Sequence, residues 1–175
     1  MFCPILPKRC LRGLDPEIFI FVVSSLLMWV RLKMPDYNSS HIRIELISSA
    51  DLEELKSLYR AGGWWDSSLD SDPGVLHRMV ENSALFAGAF SGTRMVGMGR
   101  ALSDLVSDAY IQDVAVLDEF RGRGIGRKIV QALAEALQAE GVDWIGVVAE
   151  PGTGSFYQKM GFEPLQGHIP LTYRR

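Results

Sequence analysis

The sequence predicts an α/β (α+β) domain over residues 41–175, with a mixed, mostly antiparallel sheet and helices on both faces. Three observations predict it. Apolar residues switch repeatedly between alternation and helical spacing along the chain. Two strand-like runs are joined at Ser91-Gly92-Thr93, a turn short enough to force an antiparallel hairpin. An apolar strand at 109–116 then passes through a glycine-rich turn into a long helix and on to a second apolar strand. A strand–helix–strand unit of that length implies a right-handed parallel crossover.

The elements follow in order. His41–Ile47 alternates Ile42, Ile44 and Leu46 with polar residues and reads as a strand. Ser49 and Asp51 offer N-caps to a helix with Leu52, Leu55, Leu58 and Tyr59 on one face, which Gly62-Gly63 ends. A Ser/Asp-rich loop after Trp64-Trp65-Asp66 leads to a short helix near Val75–Glu81. Ala84–Phe90 and Arg94–Leu102 form the hairpin, and Ala109–Val116 is the next strand. In the helix Gly124–Glu140, Ile125, Ile129, Leu133 and Leu137 recur every fourth position, Val130 widens that stripe, and Gly141 closes it. Trp144–Ala149 is a buried strand, a short helix covers Thr153–Lys159, and two last strands are expected near Phe162–Pro164 and Ile169–Tyr173.

The first forty residues stand apart. Residues 1–34 carry net charge +3, against −6 for residues 35–175. Ile18 to Val30 is an uncharged apolar run, shorter than the roughly 20 residues that span a bilayer. Three readings stand: a start assigned too early, with synthesis beginning at Met34; a membrane-associating segment; or a helix packed on the domain. The expected location is the cytoplasm, with membrane association through residues 18–30 as the alternative.

Both cysteines, Cys3 and Cys10, lie in the first ten residues without metal-ligand spacing, and three histidines are widely separated. A metal site is therefore not expected. One basic knot in an acidic domain argues against nucleic-acid binding.

That knot carries the chemistry. Arg121-Gly122-Arg123-Gly124-Ile125-Gly126-Arg127 joins a strand to a helix start, where backbone N–H groups and the helix dipole form an anion site. Glycines admit phosphate oxygens to the main chain, and Arg121, Arg123, Arg127 and Lys128 add charge. A Walker loop is excluded, because no Gly-Lys-Ser or Gly-Lys-Thr string occurs. A Rossmann turn is excluded because Arg127 stands where the third glycine belongs.

The spacing Arg121-x-x-Gly124-x-Gly126, with Phe156-Tyr157-Gln158-Lys159-Met160-Gly161-Phe162 downstream, resembles the GNAT superfamily of acetyl-CoA-dependent N-acetyltransferases. The Gly-Trp-Trp stretch at 63–65 and the Ala-Glu before the Phe-Tyr motif look nearest to its aralkylamine and serotonin acetyltransferase-like branch. The resemblance implies strands 109–116 and 144–149 splaying apart, so that the pantetheine arm pairs with the main chain at Val114 and Val116. It implies Gly122, Gly124, Ile125 and Gly126 around the pyrophosphate, and Tyr157 as the acid that protonates the departing thiolate.

The base is open. The family's strand Glu or His is replaced by Tyr110 and Gln112, which could orient a water or bind the amine. Glu150 is the preferred carboxylate, or else it caps the helix that Pro151 starts. Asp113, opposite Tyr110 and Gln112 by strand alternation, reads as structural. Trp64 and Trp65 either line an aryl-amine pocket or simply pack. The expected activity is acetyl transfer from acetyl-CoA to a primary amine of a small molecule. The alternatives are a peptide N-terminal acetyltransferase or a non-catalytic acyl-CoA sensor, and a homodimer is compatible with each.

Overall fold

The computed structural model describes residues 41–72 and 74–173; the expectations for residues 1–40 lie outside them. Five strands form one sheet in the order of the chain: β1 Ile42–Leu46, β2 Leu85–Ser91, β3 Arg94–Ser103, β4 Asp108–Val116 and β5 Trp144–Val147. The first four pair antiparallel, and β5 joins β4 in parallel. The helices are α1 Leu52–Ala61, α2 Val75–Glu81, α3 Ile125–Ala139 and α4 Gly154–Gln158.

Local chemistry sets the boundaries. Asp51 caps α1, its carboxylate accepting from the N–H groups of Glu53 and Glu54 at 3.0 Å each. The hairpin closes with Ser91 opposite Arg94, and Gly92 takes φ +62° to make the turn. Ser103 Oγ donates to Asp108 O at 2.6 Å across the β3–β4 connection.

The core fills both faces of the sheet. On one face α3 lays Ile129, Leu133 and Leu137, each fully buried, across β2, β3 and β4. The fit is close because β3 presents glycines there: a Cβ on Gly99 would come within 2.7 Å of Ile129, and one on Gly97 within 3.1 Å. On the other face α1 buries Leu55, Leu58 and Tyr59 against β3 and β4. Full burial of such side chains contributes roughly 1.5–3 kcal/mol apiece.

Two expectations are corrected. The strands expected near Phe162–Pro164 and Ile169–Tyr173 do not form; those residues are irregular beyond α4, with a turn from Leu165 O to His168 N. Ile169, Leu171 and Tyr173 are 77%, 89% and 86% exposed. A strand needs a partner for its backbone, and here Pro164 and Pro170 also withhold N–H donors. The last helix begins at Gly154 with Thr153 at its N-cap, so Pro151 does not start it. Among the described residues no helix is long and apolar enough to cross a membrane.

Candidate active site

The sheet opens where β4 and β5 part. Their pairing runs from Asp108 opposite Trp144 to Ile111 opposite Val147, and there β5 ends. β4 continues to Val116 with β3 on one side and, among the described residues, no strand on the other. The opening is a cleft of about 1130 Å³, bordered by the far half of β4, the start of α3, the residues after β5, and α4. Main chain that lost its neighbour faces this cleft, and an extended ligand arm is the natural substitute for the missing strand.

A bulge shapes that edge. The register with β3 advances by one between Met98 opposite Ala115 and Arg100 opposite Gln112, so β4 carries one extra residue. Asp113 takes the strain at φ +54°. The extra residue breaks alternation and turns Asp113 to the α1 side, with Gln112, not opposite it. There its Oδ2 accepts from Tyr59 Oη at 2.9 Å and from Arg100 Nε at 2.5 Å. Burial, then the Asp113 charge, push the Tyr59 phenol well above its ordinary value. Three elements are thus pinned at the point where the sheet opens.

Beyond the bulge, the chain turns through Gly122 at φ +75° and Gly124 at φ +74° into α3. A Cβ at either position would meet nothing within 4 Å, so the backbone conformation is what calls for glycine. Gly126 differs: its Cβ would touch the Phe156 ring at 3.4 Å, and any longer side chain would project into the cleft. α3 starts without a side-chain cap, and its first helical bond runs from Lys128 N–H to Gly124 O at 3.2 Å. The amides of Gly124 to Arg127 are left for something in the cleft.

Tyr157, half-buried on α4, forms the facing wall. Its ring is held edge-to-face by Phe156 at 4.9 Å and Phe162 at 5.8 Å. Burial, and secondarily the Glu150 carboxylate, raise its phenol above the ordinary value, which keeps it protonated.

The comparisons agree with this architecture. Residues 82–164 match the model of the acetyltransferase (GNAT) domain. An uncharacterized N-acetyltransferase, ycf52, of Porphyra purpurea is 34% identical over 112 residues, which are 64% of each protein. Serotonin N-acetyltransferase 2, chloroplastic, of Oryza sativa subsp. japonica is 34% identical over 91 residues, 50% of this chain and 46% of that protein. In fold, the GNAT-family acetyltransferase SP0256 of Streptococcus pneumoniae TIGR4 superposes with TM-score 0.65 at 25% identity, covering 77% of this chain and 98% of that one. By this match, residues 82–164 are a GNAT acetyltransferase domain.

Within this GNAT domain, most residues singled out in the sequence border one cleft. Tyr110, Gln112, Val114 and Val116 line it from β4, and Arg121, Gly122, Gly124, Ile125, Gly126 and Arg127 from the turn and helix start. Trp64, Glu150 and Tyr157 complete the border. Glu150 leaves the α4 cap to Thr153, whose N–H and hydroxyl donate to the Glu150 carbonyl at 3.0 and 2.8 Å.

Two arginines are engaged otherwise than expected, and of the two readings left open for Trp65 the packing one fits its place. Arg121 is occupied as a brace: it donates to Val116 O at 3.1 Å and Ala61 O at 3.0 Å, and pairs with Asp118 at 3.0 Å. Arg123 lies off the cleft, donating to Glu119 O at 2.9 Å and stacking over Phe120 at 5.1 Å. Trp65 is also off the cleft, with Lys56 Nζ 4.9 Å from its ring centre. Arg127 keeps its guanidinium clear of hydrogen bonds and ion pairs among the described residues. Asp113 is the cleft residue whose surroundings alternation misplaced. The Asp113-Val114 step within the strand gives no signal of a bulge.

Proposed function

We propose that the domain is an N-acetyltransferase that moves the acetyl group of acetyl-CoA to the primary amine of a small molecule, by direct attack with both substrates bound. The observation that carries this reading is one continuous cleft. It joins the unpaired main chain of β4, the uncapped start of α3, and a protonated phenol. The β4 backbone from Gln112 to Val116 would take the pantetheine arm as an added strand. Amides at Gly124 to Arg127, with the Arg127 guanidinium, would hold the pyrophosphate. Arg121 serves by bracing the turn between Val116 and Ala61.

The chemistry follows from where these groups stand. A neutral amine nitrogen attacks the thioester carbonyl carbon, a C–N bond forms, and the C–S bond breaks. Glu150 accepts the proton the amine sheds, directly or through water, and Tyr157 gives its proton to the thiolate sulfur. Phenol and carboxylate then exchange that proton through solvent, which returns both to their starting state. Holding amine and thioester together supplies much of the rate. Both cysteines lie in the first ten residues, far in sequence from the cleft, so no acyl-cysteine intermediate is invoked.

The acceptor end of the cleft presents Trp64, Tyr110, Leu102 and Val148. These suit an amine carrying an aryl or other apolar group, such as the serotonin for which the rice relative is named. A thiol-release assay with acetyl-CoA and a panel of aryl-amines, polyamines and peptides tests the reading. Turnover greatest with aryl-amines is expected. Turnover only with peptides would move the acceptor to polypeptide N-termini, and binding without turnover would leave an acyl-CoA sensor.

A further inference from the structure

The one glycine of β5 is explained neither by a turn nor by a left-handed backbone. Gly146 lies inside the strand and is not among the residues with positive φ. A glycine there weakens the strand and marks a place where another group comes close. That group is the indole of Trp144: a Cβ on Gly146 would stand 2.7 Å from its Cη2 and 2.8 Å from its Cζ3. Trp144 precedes Gly146 by two positions and shares its face of the sheet, so the indole leans along the strand and lies over the glycine.

The indole is thereby delivered to Tyr110. Gly146 stands opposite Tyr110 in the parallel β4–β5 register, and the two rings meet edge-to-face, their centroids 5.3 Å apart. On its other side Tyr110 faces Leu102 of β3. The ring is thus held across three strands, one step before the last β4–β5 pair, Ile111 with Val147. Tyr110 borders the cleft, whereas Trp144 is not among the residues that line it. Strand stability does not account for this arrangement. A β-branched residue at 146 would strengthen the strand but evict the indole. Nor is the pair a buried one: among the described residues, Tyr110 is left 47% and Trp144 37% exposed.

We propose that Tyr110 holds the acceptor nitrogen, its hydroxyl oxygen accepting a hydrogen bond from the amine, and that Trp144 is a positioning residue that acts through Tyr110. This rests on the acetyl-transfer reading and adds a contact and its support to that same site. Both Tyr110 and Glu150 border the cleft, and the amine has a different use for each. One proton leaves to Glu150 as the C–N bond forms. An N–H that stays on nitrogen needs an acceptor that does not take it. A phenol oxygen supplies this: it accepts through a lone pair, keeps its own proton and leaves the nitrogen lone pair free for attack. Aim matters here, because attack on the thioester tolerates little displacement of the nitrogen. A tyrosine at the lip of an opening sheet would swing between rotamers; the indole on one side and Leu102 on the other restrict it.

The test is a double-mutant cycle in the full chain. It is read in steady-state kinetics with acetyl-CoA and 2-phenylethylamine, and in calorimetric titration of that amine into the coenzyme A complex. Tyr110→Phe should raise KM and Kd for the amine by about three- to tenfold, the loss of one hydrogen bond, and leave the KM for acetyl-CoA unchanged. Trp144→Leu should weaken the amine to a similar degree. So should Gly146→Ala, which disturbs the same seat without removing the indole. Trp144→Phe, which keeps an aromatic edge against Tyr110, should recover most of the loss. In the Tyr110→Phe background neither Trp144→Leu nor Gly146→Ala should have a further effect, a result that a merely structural pair would not give. Additive effects, or KM values for both substrates raised together, would overturn the positioning role. An amine Kd untouched by Tyr110→Phe would overturn the contact itself. The acetyl-transfer reading fails separately: without thiol release it falls, while the cycle in amine binding still decides the contact. A wild type that binds coenzyme A and no amine would overturn both.

Discussion

The two walls of the cleft are built from different materials. The β4–α3 wall is main chain: an unpaired strand edge, a turn through two left-handed glycines, and the bare amides of a helix start. The β5–α4 wall is side chain: Tyr157, Glu150, Phe156 and the apolar residues beside an open sheet edge. A wall of amides accepts one kind of ligand, an anionic or peptide-like arm, and tolerates change outside its glycines. A wall of side chains sets proton chemistry and acceptor shape, and each residue in it can be exchanged separately. This contrast predicts which substitutions remove turnover and which remove binding.

The largest expected effect falls on the side-chain wall. Tyr157→Phe should lower kcat by about 10²–10⁴-fold, the usual contribution of a positioned acid, with the Kd for coenzyme A unchanged. Calorimetry beside steady-state kinetics checks both halves. A fall in donor affinity would mean that the phenol belongs to the binding wall, and unchanged turnover would make it structural.

Next comes the hinge between the walls. Asp113→Ala leaves the Arg100 charge, only 15% exposed, without its carboxylate and the Tyr59 hydroxyl without its acceptor. A loss of about 2–4 kcal/mol is expected, read from the denaturant midpoint. Asp113→Asn keeps an acceptor for Tyr59 and should recover part of it. If the bulge positions the donor, the surviving Asn variant will show a raised KM for acetyl-CoA with kcat less affected.

The main-chain wall offers a paired test. Gly124→Ala forces a Cβ into φ +74° and should lower stability by about 1–2 kcal/mol, although nothing lies near the added atom. Gly126→Val meets no backbone strain, and its first atom makes an ordinary contact with Phe156. It should leave the midpoint within about 0.5 kcal/mol and weaken coenzyme A by at least tenfold, because its methyls occupy cleft space. If Gly126→Val binds coenzyme A normally, the pyrophosphate does not sit at this helix start.

Legibility in the sequence divides along the same line. The β4–α3 wall announces itself because a left-handed turn at a helix start restricts the residues allowed there, and glycines at 122 and 124 meet that restriction. Core helices are equally plain, since the four-residue recurrence from Ile125 to Leu137 is the buried stripe itself. What stayed hidden depends on partners distant in sequence. The bulge at Asp113 is fixed by Arg100 and Tyr59, which no local pattern connects. Arg121 looked like an anion ligand because charge is visible in a sequence, but its engagement by the carbonyls of Val116 and Ala61 is not. The segment after Phe162 has the alternation of a strand and no strand partner among the described residues, and alternation alone does not supply one.

The smallest effect separates two phenols, the buried Tyr59 and the half-buried Tyr157. Tyr59 and Tyr157 both titrate above the ordinary phenol, chiefly through burial, assisted by Asp113 and Glu150 respectively. An unfolded chain releases these protons near pH 10, where the folded protein still holds them. The folded state then binds more protons than the unfolded one, so stability is full below about pH 10 and falls as pH rises through the folded values. Tyr59→Phe should flatten this alkaline fall and leave the pH profile of kcat untouched. Tyr157→Phe should also flatten it in part, and it should in addition remove the alkaline limb of kcat. Equal effects of both variants on the kcat profile would mean that the Asp113 hinge takes part in proton transfer, which would erase the division between a wall that binds and a wall that reacts.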